Sequence, residues 1–323
     1  MTSKKQNKII IITGQTGTGK TSLALKLAQK FNGELINSDS RQIYKYLDII
    51  TGKDKQFLAK VKMWLYDVIN PNEHFSSFDF VKLAVPIINK IFHKGKTPII
   101  VGGTYFYLHH LLYNVESENI APDWKLRNNL ENKSVKELQA ILTKLSPELI
   151  EQLNQSELNN PQRLIRKIEI ESSRHSGKQP RVLGGARPES NNDSGFIPRI
   201  HPEGIAALPR MTLKNKLGIN DLEFDFIALK FKNKESLRQA IEKRVEERLK
   251  FGAVAEVSKL LKMGYSESDP GLKTIGYQQL ISYLKGELDF TTAVQQWINK
   301  EVQYAKRQFT FMKKDKNIKW TLV

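Results

Sequence analysis

Four isoleucines in a row, Ile9 to Ile12, stand between the polar residues Lys8 and Thr13, and this unbroken apolar run reads as a strand buried on both faces. A glycine-rich turn follows over residues 14–21. Residues 22–31 then carry Leu23, Leu27 and Phe31 at helical spacing, and Gly33 breaks the helix. Residues 34–37 form a second expected strand. Residues 80–92 read as a helix with a possible kink at Pro86, and residues 97–101 as a third buried strand that ends in Gly102-Gly103. Strand and helix alternating in this way predict an α/β fold, a P-loop NTPase-like parallel sheet flanked by helices.

The pattern changes from Asp123 onward. Residues 123–175 are polar and helical, with starts marked by Ser134 and Ser146-Pro147. Residues 176–220 are rich in Gly, Pro, Ser and Asn with little periodicity and read as a long loop. A strand is expected over 225–230. Helices are expected over 234–251, 253–262, 272–284 and 290–314, within a C-terminal stretch, 234–323, that reads as helical throughout. The expected organisation is a core of residues 1–115 and 222–323 with C-terminal helices, a helical insertion domain over 116–180, and an atypical loop-rich insertion over 181–221.

Charge adds a partner to this picture. Lys and Arg number 51 against 34 Asp and Glu, a net charge of +17. A bias toward Lys, Asn and Ile in the whole composition is one source of such an excess; a polyanionic partner is the other. The cations also cluster. Arg163, Arg166, Lys167, Arg174, Lys178, Arg181 and Arg187 face only Glu169 and Glu171, and Lys300, Lys306, Arg307, Lys313, Lys314, Lys316 and Lys319 face only Glu301 and Asp315. A solvated surface mixes its signs better than this. The chain has no cysteine, which rules out disulfides, thiolate nucleophiles and cysteine-ligated zinc. No apolar run approaches the ~18–20 residues of a membrane span, and the polar, basic start has no apolar signal region. The expectation is a cytoplasmic protein with no membrane contact, and nothing demands more than a monomer.

The turn carries the chemistry. Gly14, Gln15, Thr16, Gly17, Thr18, Gly19, Lys20 and Thr21 match the phosphate-loop pattern G-x4-G-K-[ST], between a strand and a helix as that pattern requires. Glycines let backbone N–H groups converge on phosphate oxygens at a helix N-terminus, Lys20 supplies a point charge, and the Thr21 hydroxyl can ligate Mg²⁺. A motor ATPase would add an apolar strand ending in a metal-binding Asp. Here the strand over 97–101 runs into Gly102-Gly103-Thr104, and Leu65-Tyr66-Asp67 is a poor substitute, so a helicase or motor is disfavoured.

Asp39 follows the second strand, at the carboxyl edge where α/β sites form. A carboxylate there can take the proton of an amine as a new bond forms; it can equally be a turn or N-cap residue. Gln42 can hydrogen-bond an adenine edge or be an ordinary loop residue. Tyr44, Tyr105 and Tyr107 can stack on a base or fill the core.

Five further segments accompany the phosphate loop in order: Asp39-Ser40-Arg41-Gln42-Ile43-Tyr44, Gly102-Gly103-Thr104-Tyr105-Phe106-Tyr107, Asn160-Pro161-Gln162-Arg163-Leu164-Ile165-Arg166, Ile275-Gly276-Tyr277, and Tyr304-Ala305-Lys306-Arg307-Gln308-Phe309-Thr310. As an ordered set they closely resemble the tRNA dimethylallyltransferases, over about residues 8–175 and 222–312. The resemblance implies transfer of a dimethylallyl group from dimethylallyl diphosphate to the exocyclic amine of the adenosine 3′-adjacent to the anticodon in tRNA, with Mg²⁺ assisting. It implies a general base at Asp39 and diphosphate binding by residues 14–21. It implies a catalytic or channel arginine at Arg127, and tRNA contacts at Asp39, Ser40, Arg41, Gln42, Thr104, Arg127, Gln162, Arg163, Leu164, Ile165, Arg166, Tyr277, Lys306 and Arg307. Two departures stand out. The family's Val-Pro-His-His-Leu is Val61-Lys62-Met63-Trp64-Leu65 here, and residues 181–220 exceed the family's connection. A small-molecule P-loop kinase would share the cradle without needing the charge, and a non-catalytic RNA-binding protein would have no need of an intact Gly19-Lys20-Thr21.

Overall fold

The structure, a computed structural model, describes residues 7–53, 55, 61–113, 120–176 and 212–323. Lys178, Arg181, Arg187 and most of the atypical insertion lie outside them. The chain forms two compact units, one of residues 1–113 and 208–323 and one of residues 114–207.

The first unit opens with β1 (Asn7–Gly14), α1 (Lys20–Lys30), β2 (Gly33–Asn37), β3 (Met63–Trp64), α2 (Ser77–His93), β4 (Thr97–Val101) and α3 (Tyr105–Leu112). The second holds α4 (Trp124–Leu130), α5 (Val135–Leu145), α6 (Pro147–Glu151), α7 (Gln155–Leu158) and α8 (Pro161–His175). The chain then returns to the first through α9 (Leu213–Leu217), β5 (Leu222–Lys230), α10 (Lys234–Lys250), α11 (Ala253–Lys262), α12 (Tyr277–Leu284), α13 (Phe290–Met312) and β6 (Lys319–Leu322). The six strands lie in the order β3-β2-β4-β1-β5-β6, and every pairing is parallel.

The isoleucine run explains why β1 is central. Ile9 and Ile11 point into the cluster beneath α2 and α3, whereas Ile10 and Ile12 point into the cluster beneath α1. All four are 0% exposed, and full burial of such a side chain contributes roughly 1.5–3 kcal/mol. A third cluster unites α10–α13 with Ile43, Tyr44, Leu47 and Ile50 from the segment after β2. That segment is thereby carried from the sheet edge onto the C-terminal helices. Glu256 of α11 secures it, accepting the N–H groups of Asp48, Ile49 and Ile50. The helical unit has its own core around Leu138, Leu142, Leu164 and Ile168, and the Ser134 capping box starts α5 as expected.

Several expectations need correction. α2 runs unbroken through Pro86. Phe31 is the C-cap of α1 rather than part of its buried stripe and carries Lys8 and Lys30 over its ring. α9 lies inside the stretch expected to be loop. α12 begins at Tyr277 rather than at 272, because Gly276 stands at φ 96° with Ile50 and Trp297 so close that a Cβ would meet them at 2.6 and 2.8 Å. The chain does not end in helix: β6 pairs with β5, aligning Lys319 with Ile227.

The departure over 61–65 has a structural account. Met63 and Trp64 form the edge strand β3, in register with Leu35 and Ile36. The Trp64 indole N–H donates to Glu34 at 2.7 Å, and Lys94 and Lys96 donate to the same carboxylate. Lys62 lies 3.9 Å over the Trp64 ring. Burial pushes the Glu34 carboxyl up, but these three donors outweigh it and hold it at about 2. A depressed carboxylate stabilises the fold above its unfolded value and loses that contribution as pH falls through its folded value. Urea unfolding should therefore show stability falling between pH ~4.5 and pH ~2. Glu34→Gln should flatten that fall, and Trp64→Phe should cost about 1.5–3 kcal/mol at neutral pH.

Candidate active site

The phosphate loop is fastened to β5 before it reaches any ligand. Gly14 stands at φ 130°, and a Cβ there would lie 2.1 Å from the Leu229 carbonyl oxygen, so only glycine fits. The Gln15 N–H donates to that oxygen at 3.0 Å, and its side-chain Oε1 accepts from the Phe231 N–H. This corrects the expectation for Gln15: both its donor and its side chain serve the junction with β5 rather than a phosphate. The Thr18 hydroxyl closes the turn onto the Gln15 carbonyl at 2.7 Å. Gly19, at φ 77°, turns the chain into α1.

A cavity of 720 Å³ opens over the loop, lined by Thr16, Gly17, Gly19, Lys20 and Thr21 and by Asp39, Gln42 and Gly103 across from them. Lys20 folds back over the loop, donating to the carbonyls of Gly14 and Gln15 at 3.2 and 2.7 Å. Burial, reinforced by the Arg244 guanidinium, pushes its pKa down to about 7 against the pull of Asp39. Arg244 donates to the Thr16 hydroxyl. Arg248 is buried, its pKa lowered to about 10 mainly by burial and then by Arg244, and is paired with Glu301 at 3.0 Å. Lys53 and Lys55 also line the cavity but are paired with Asp48 and Asp67. Among the described residues that line the cavity, Lys20, Lys243 and Arg244 have no carboxylate salt bridge.

Asp39 serves two ends. Its Oδ1 accepts the Arg41 N–H at 2.9 Å, the turn role read as one alternative in the sequence. Its Oδ2 has no hydrogen bond among the described residues and lies 3.7 Å from where a Cβ on Gly103 would stand. The Ser40 N–H donates to the Thr104 hydroxyl at 2.9 Å, and that hydroxyl donates to the Ser40 hydroxyl. Arg41 reaches the Pro270 carbonyl. The Gln42 amide nitrogen donates to the carbonyls of Thr51 and Gly52.

Several expected residues have other places in the structure. Tyr277 is 0% exposed and donates its hydroxyl to Glu256 at 2.5 Å; it is a core residue, not a tRNA contact. Leu164 is also 0% exposed, and its side chain packs in the helical unit's core, which removes it from the contact set. Tyr44, Tyr105 and Tyr107 are buried in the core of the first unit. Arg127 lies in the helical unit, stacked on Trp124 and bidentate on Glu169 at 2.9 and 2.7 Å. Arg166 shares Glu169, Arg163 reaches the Ser156 hydroxyl, Gln162 is exposed, and Ile165 flanks the core. Lys306 and Arg307 are exposed on α13.

Four site residues gained no role from the sequence: Arg244, Arg248, Tyr304 and Gln308. The two arginines sit on α10, which the sequence predicts only as a helix. The usable signal was the stripe Ala240, Arg244, Glu247, Arg248 and Phe251, which recurs at helical spacing and faces the cavity.

A parallel sheet with a phosphate loop at its carboxyl edge, a desolvated lysine within the loop and a carboxylate opposite defines a P-loop enzyme acting on a phosphorylated substrate. The family model of the IPP transferases matches residues 42–315, and the chain belongs to that family, whose members are the tRNA dimethylallyltransferases. It is 34% identical over 319 residues to the tRNA dimethylallyltransferase of Acetivibrio thermocellus, covering 97% of this chain and 91% of that one. It is 32% identical over 323 residues to that of Caldanaerobacter subterraneus subsp. tengcongensis, covering 98% and 92%. Among solved structures, the full-length tRNA isopentenylpyrophosphate transferase from Bacillus halodurans superposes with a TM-score of 0.64 at 27% identity, over 98% of this chain and 90% of that one. A eukaryotic dimethylallyltransferase acting on tRNA shares the fold with a TM-score of 0.68 at 24% identity, over 98% and 74%.

The lowered Lys20 makes a pH prediction. Above pH ~7 the empty site holds a growing fraction of neutral Lys20, and an anion binds with proton uptake. Calorimetry of inorganic diphosphate binding at pH 8, in buffers of different ionisation enthalpy, should show net uptake beyond the ligand's own. Lys20→Arg, which stays charged, should lose that excess. Equal uptake in the two proteins would contradict the lowered pKa.

Proposed function

We infer that the protein transfers a dimethylallyl group from dimethylallyl diphosphate to the exocyclic amine of the adenosine 3′-adjacent to the anticodon of tRNA, releasing diphosphate. The observation that carries this reading is a cationic phosphate cradle sharing one cavity with the Asp39 carboxylate, whose Oδ2 has no hydrogen bond among the described residues. The diphosphate end of the donor occupies the loop, its oxygens on the N–H groups of residues 17–21, Lys20 and Arg244. As the amine attacks, the nitrogen–carbon bond forms, the carbon–oxygen bond breaks, and the electron pair passes to the diphosphate. The same groups stabilise the charge that develops on it. Asp39 accepts the proton through Oδ2 as the nitrogen–carbon bond forms, when the attacking amine becomes acidic.

The donor set suits Mg²⁺. The Thr21 hydroxyl, a hard oxygen at the start of α1 that lines the cavity, fits that ion and would hold it. Bound there, it would neutralise the leaving diphosphate. The helical unit, residues 116–180 in this reading, offers Gln162, Arg163, Arg166 and Arg127 to the tRNA backbone, and α13 offers Lys306 and Arg307. Such contacts position the RNA without reading it. Among the described residues no helix is long and apolar enough to cross a membrane. In this reading the protein acts in the cytoplasm as a monomer.

Purified protein given labelled dimethylallyl diphosphate, Mg²⁺ and unmodified tRNA, without ATP, should place label on the adenosine beside the anticodon. No transfer, with ATP consumed when supplied, would replace this reading with a kinase. Asp39→Ala should lower the single-turnover rate about 10²–10⁴-fold and leave tRNA affinity within about twofold. An unchanged rate would remove Asp39 from the proton-acceptor role.

A further inference from the structure

Asp39 and the phosphate loop are held by different strands, β2 and β1, yet the chemistry needs them in a fixed relation. The link between them comes from α13, at the far end of the chain. Gln308 is buried, and its Nε2 donates to the Gly103 carbonyl at 2.8 Å. Its Oε1 accepts the Thr16 N–H of the phosphate loop at 3.3 Å. One turn earlier on the helix, the Tyr304 hydroxyl lies beside Thr104 and Gln308 and is pushed up to about 12 by burial and then by the charge of Asp39. Thr104 in turn holds Ser40, the residue after Asp39. Gly103 lies between the two ends: a Cβ there would stand 2.6 Å from Gln308 Nε2 and 3.7 Å from Asp39 Oδ2.

We propose that Gln308 and Tyr304 are positioning residues for the transfer reaction, a clasp from α13 that sets the Asp39 carboxylate against the phosphate loop holding the donor. The chemistry of the clasp is selective. It needs one acceptor and one donor on a single uncharged head, which glutamine has. Glutamate at 308 would accept from Thr16 but would set its charge against the Gly103 carbonyl. Leucine would do neither. A nucleophile, leaving group and base misplaced by about 1 Å can lose on the order of 10²-fold in rate, so the clasp acts on the chemical step more than on affinity.

The proposal rests on Asp39 as proton acceptor, and that premise is tested separately by Asp39→Ala alone. The clasp is tested by Gln308→Leu, Gln308→Glu and Tyr304→Phe. Each is measured for single-turnover transfer at saturating dimethylallyl diphosphate and tRNA, normalised to the sites that bind inorganic diphosphate. Gln308→Leu should lower the rate about 10–100-fold, with tRNA and diphosphate affinities within about threefold, and Tyr304→Phe should lower it less. Gln308→Glu should be as slow as the leucine variant at pH 8 and recover relative to wild type as pH falls toward 5.5, because the protonated carboxyl regains the donor for Gly103. In an Asp39→Ala background, Gln308→Leu should have little further effect. A rate per competent site unchanged in Gln308→Leu would overturn the proposal, as would Gln308→Glu without pH-dependent recovery. A thermal-stability loss that fully accounts for the lost activity would overturn it too.

Discussion

Positive charge held in a desolvated cleft is the constraint on which this site depends. Among the described residues Lys20, Lys243 and Arg244 face one cavity without a carboxylate salt bridge, while Lys53, Lys55 and Arg248 around them are each neutralised by Asp48, Asp67 or Glu301. The protein thus matches its structural cations with acids and leaves the ligand-facing ones unmatched. The cost registers at Lys20, which loses much of its affinity for a proton to burial and to Arg244. In the proposed function a diphosphate supplies the missing negative charge.

The rest of the fold is arranged to keep that charge in place. β1 delivers the loop, and the absence of a side chain at Gly14 lets it press against the Leu229 carbonyl of β5. α10 brings Arg244 over Thr16. The segment after β2 crosses from the sheet to the C-terminal helices, held by Glu256, and so carries Asp39 to the wall opposite the loop. What the cradle holds on this account is a leaving group. A kinase uses a similar loop to present a phosphoryl group for attack; in the proposed reaction the attacked atom is the carbon beyond the phosphates, and Asp39 is proposed to take the proton of the amine.

The parts of this arrangement legible in the sequence were those encoded locally. The isoleucine run named the central strand, the glycines and Lys20 named the cradle, and Ser134 marked a helix start, which the structure shows as the N-cap of α5. Position along the chain hid the rest. Arg244 and Arg248 sit in a helix whose charges alternate in sign, and only the tertiary fold shows which turn faces the cavity. Tyr277 and Leu164 matched family motifs, yet their side chains are core; motif position alone does not separate a residue that shapes a site from one that touches substrate. β3 and β6 are too short, at two and four residues, to show a period. Trp64, unexplained as a departure from the family's histidine, acquires its reason from Glu34, Lys94 and Lys96, which reach the same place from β2 and the far end of α2.

The central claim is that the phosphate loop grips a leaving group, so that the reaction breaks a carbon–oxygen bond. Dimethylallyl diphosphate carrying ¹⁸O at the oxygen between carbon and phosphorus tests this directly. After turnover with tRNA, mass spectrometry should find all of the heavy oxygen in the released diphosphate and none in any dimethylallyl product. Heavy oxygen retained in dimethylallyl alcohol or its monophosphate would mean that a phosphorus–oxygen bond had broken, and the cradle would then be serving phosphoryl transfer.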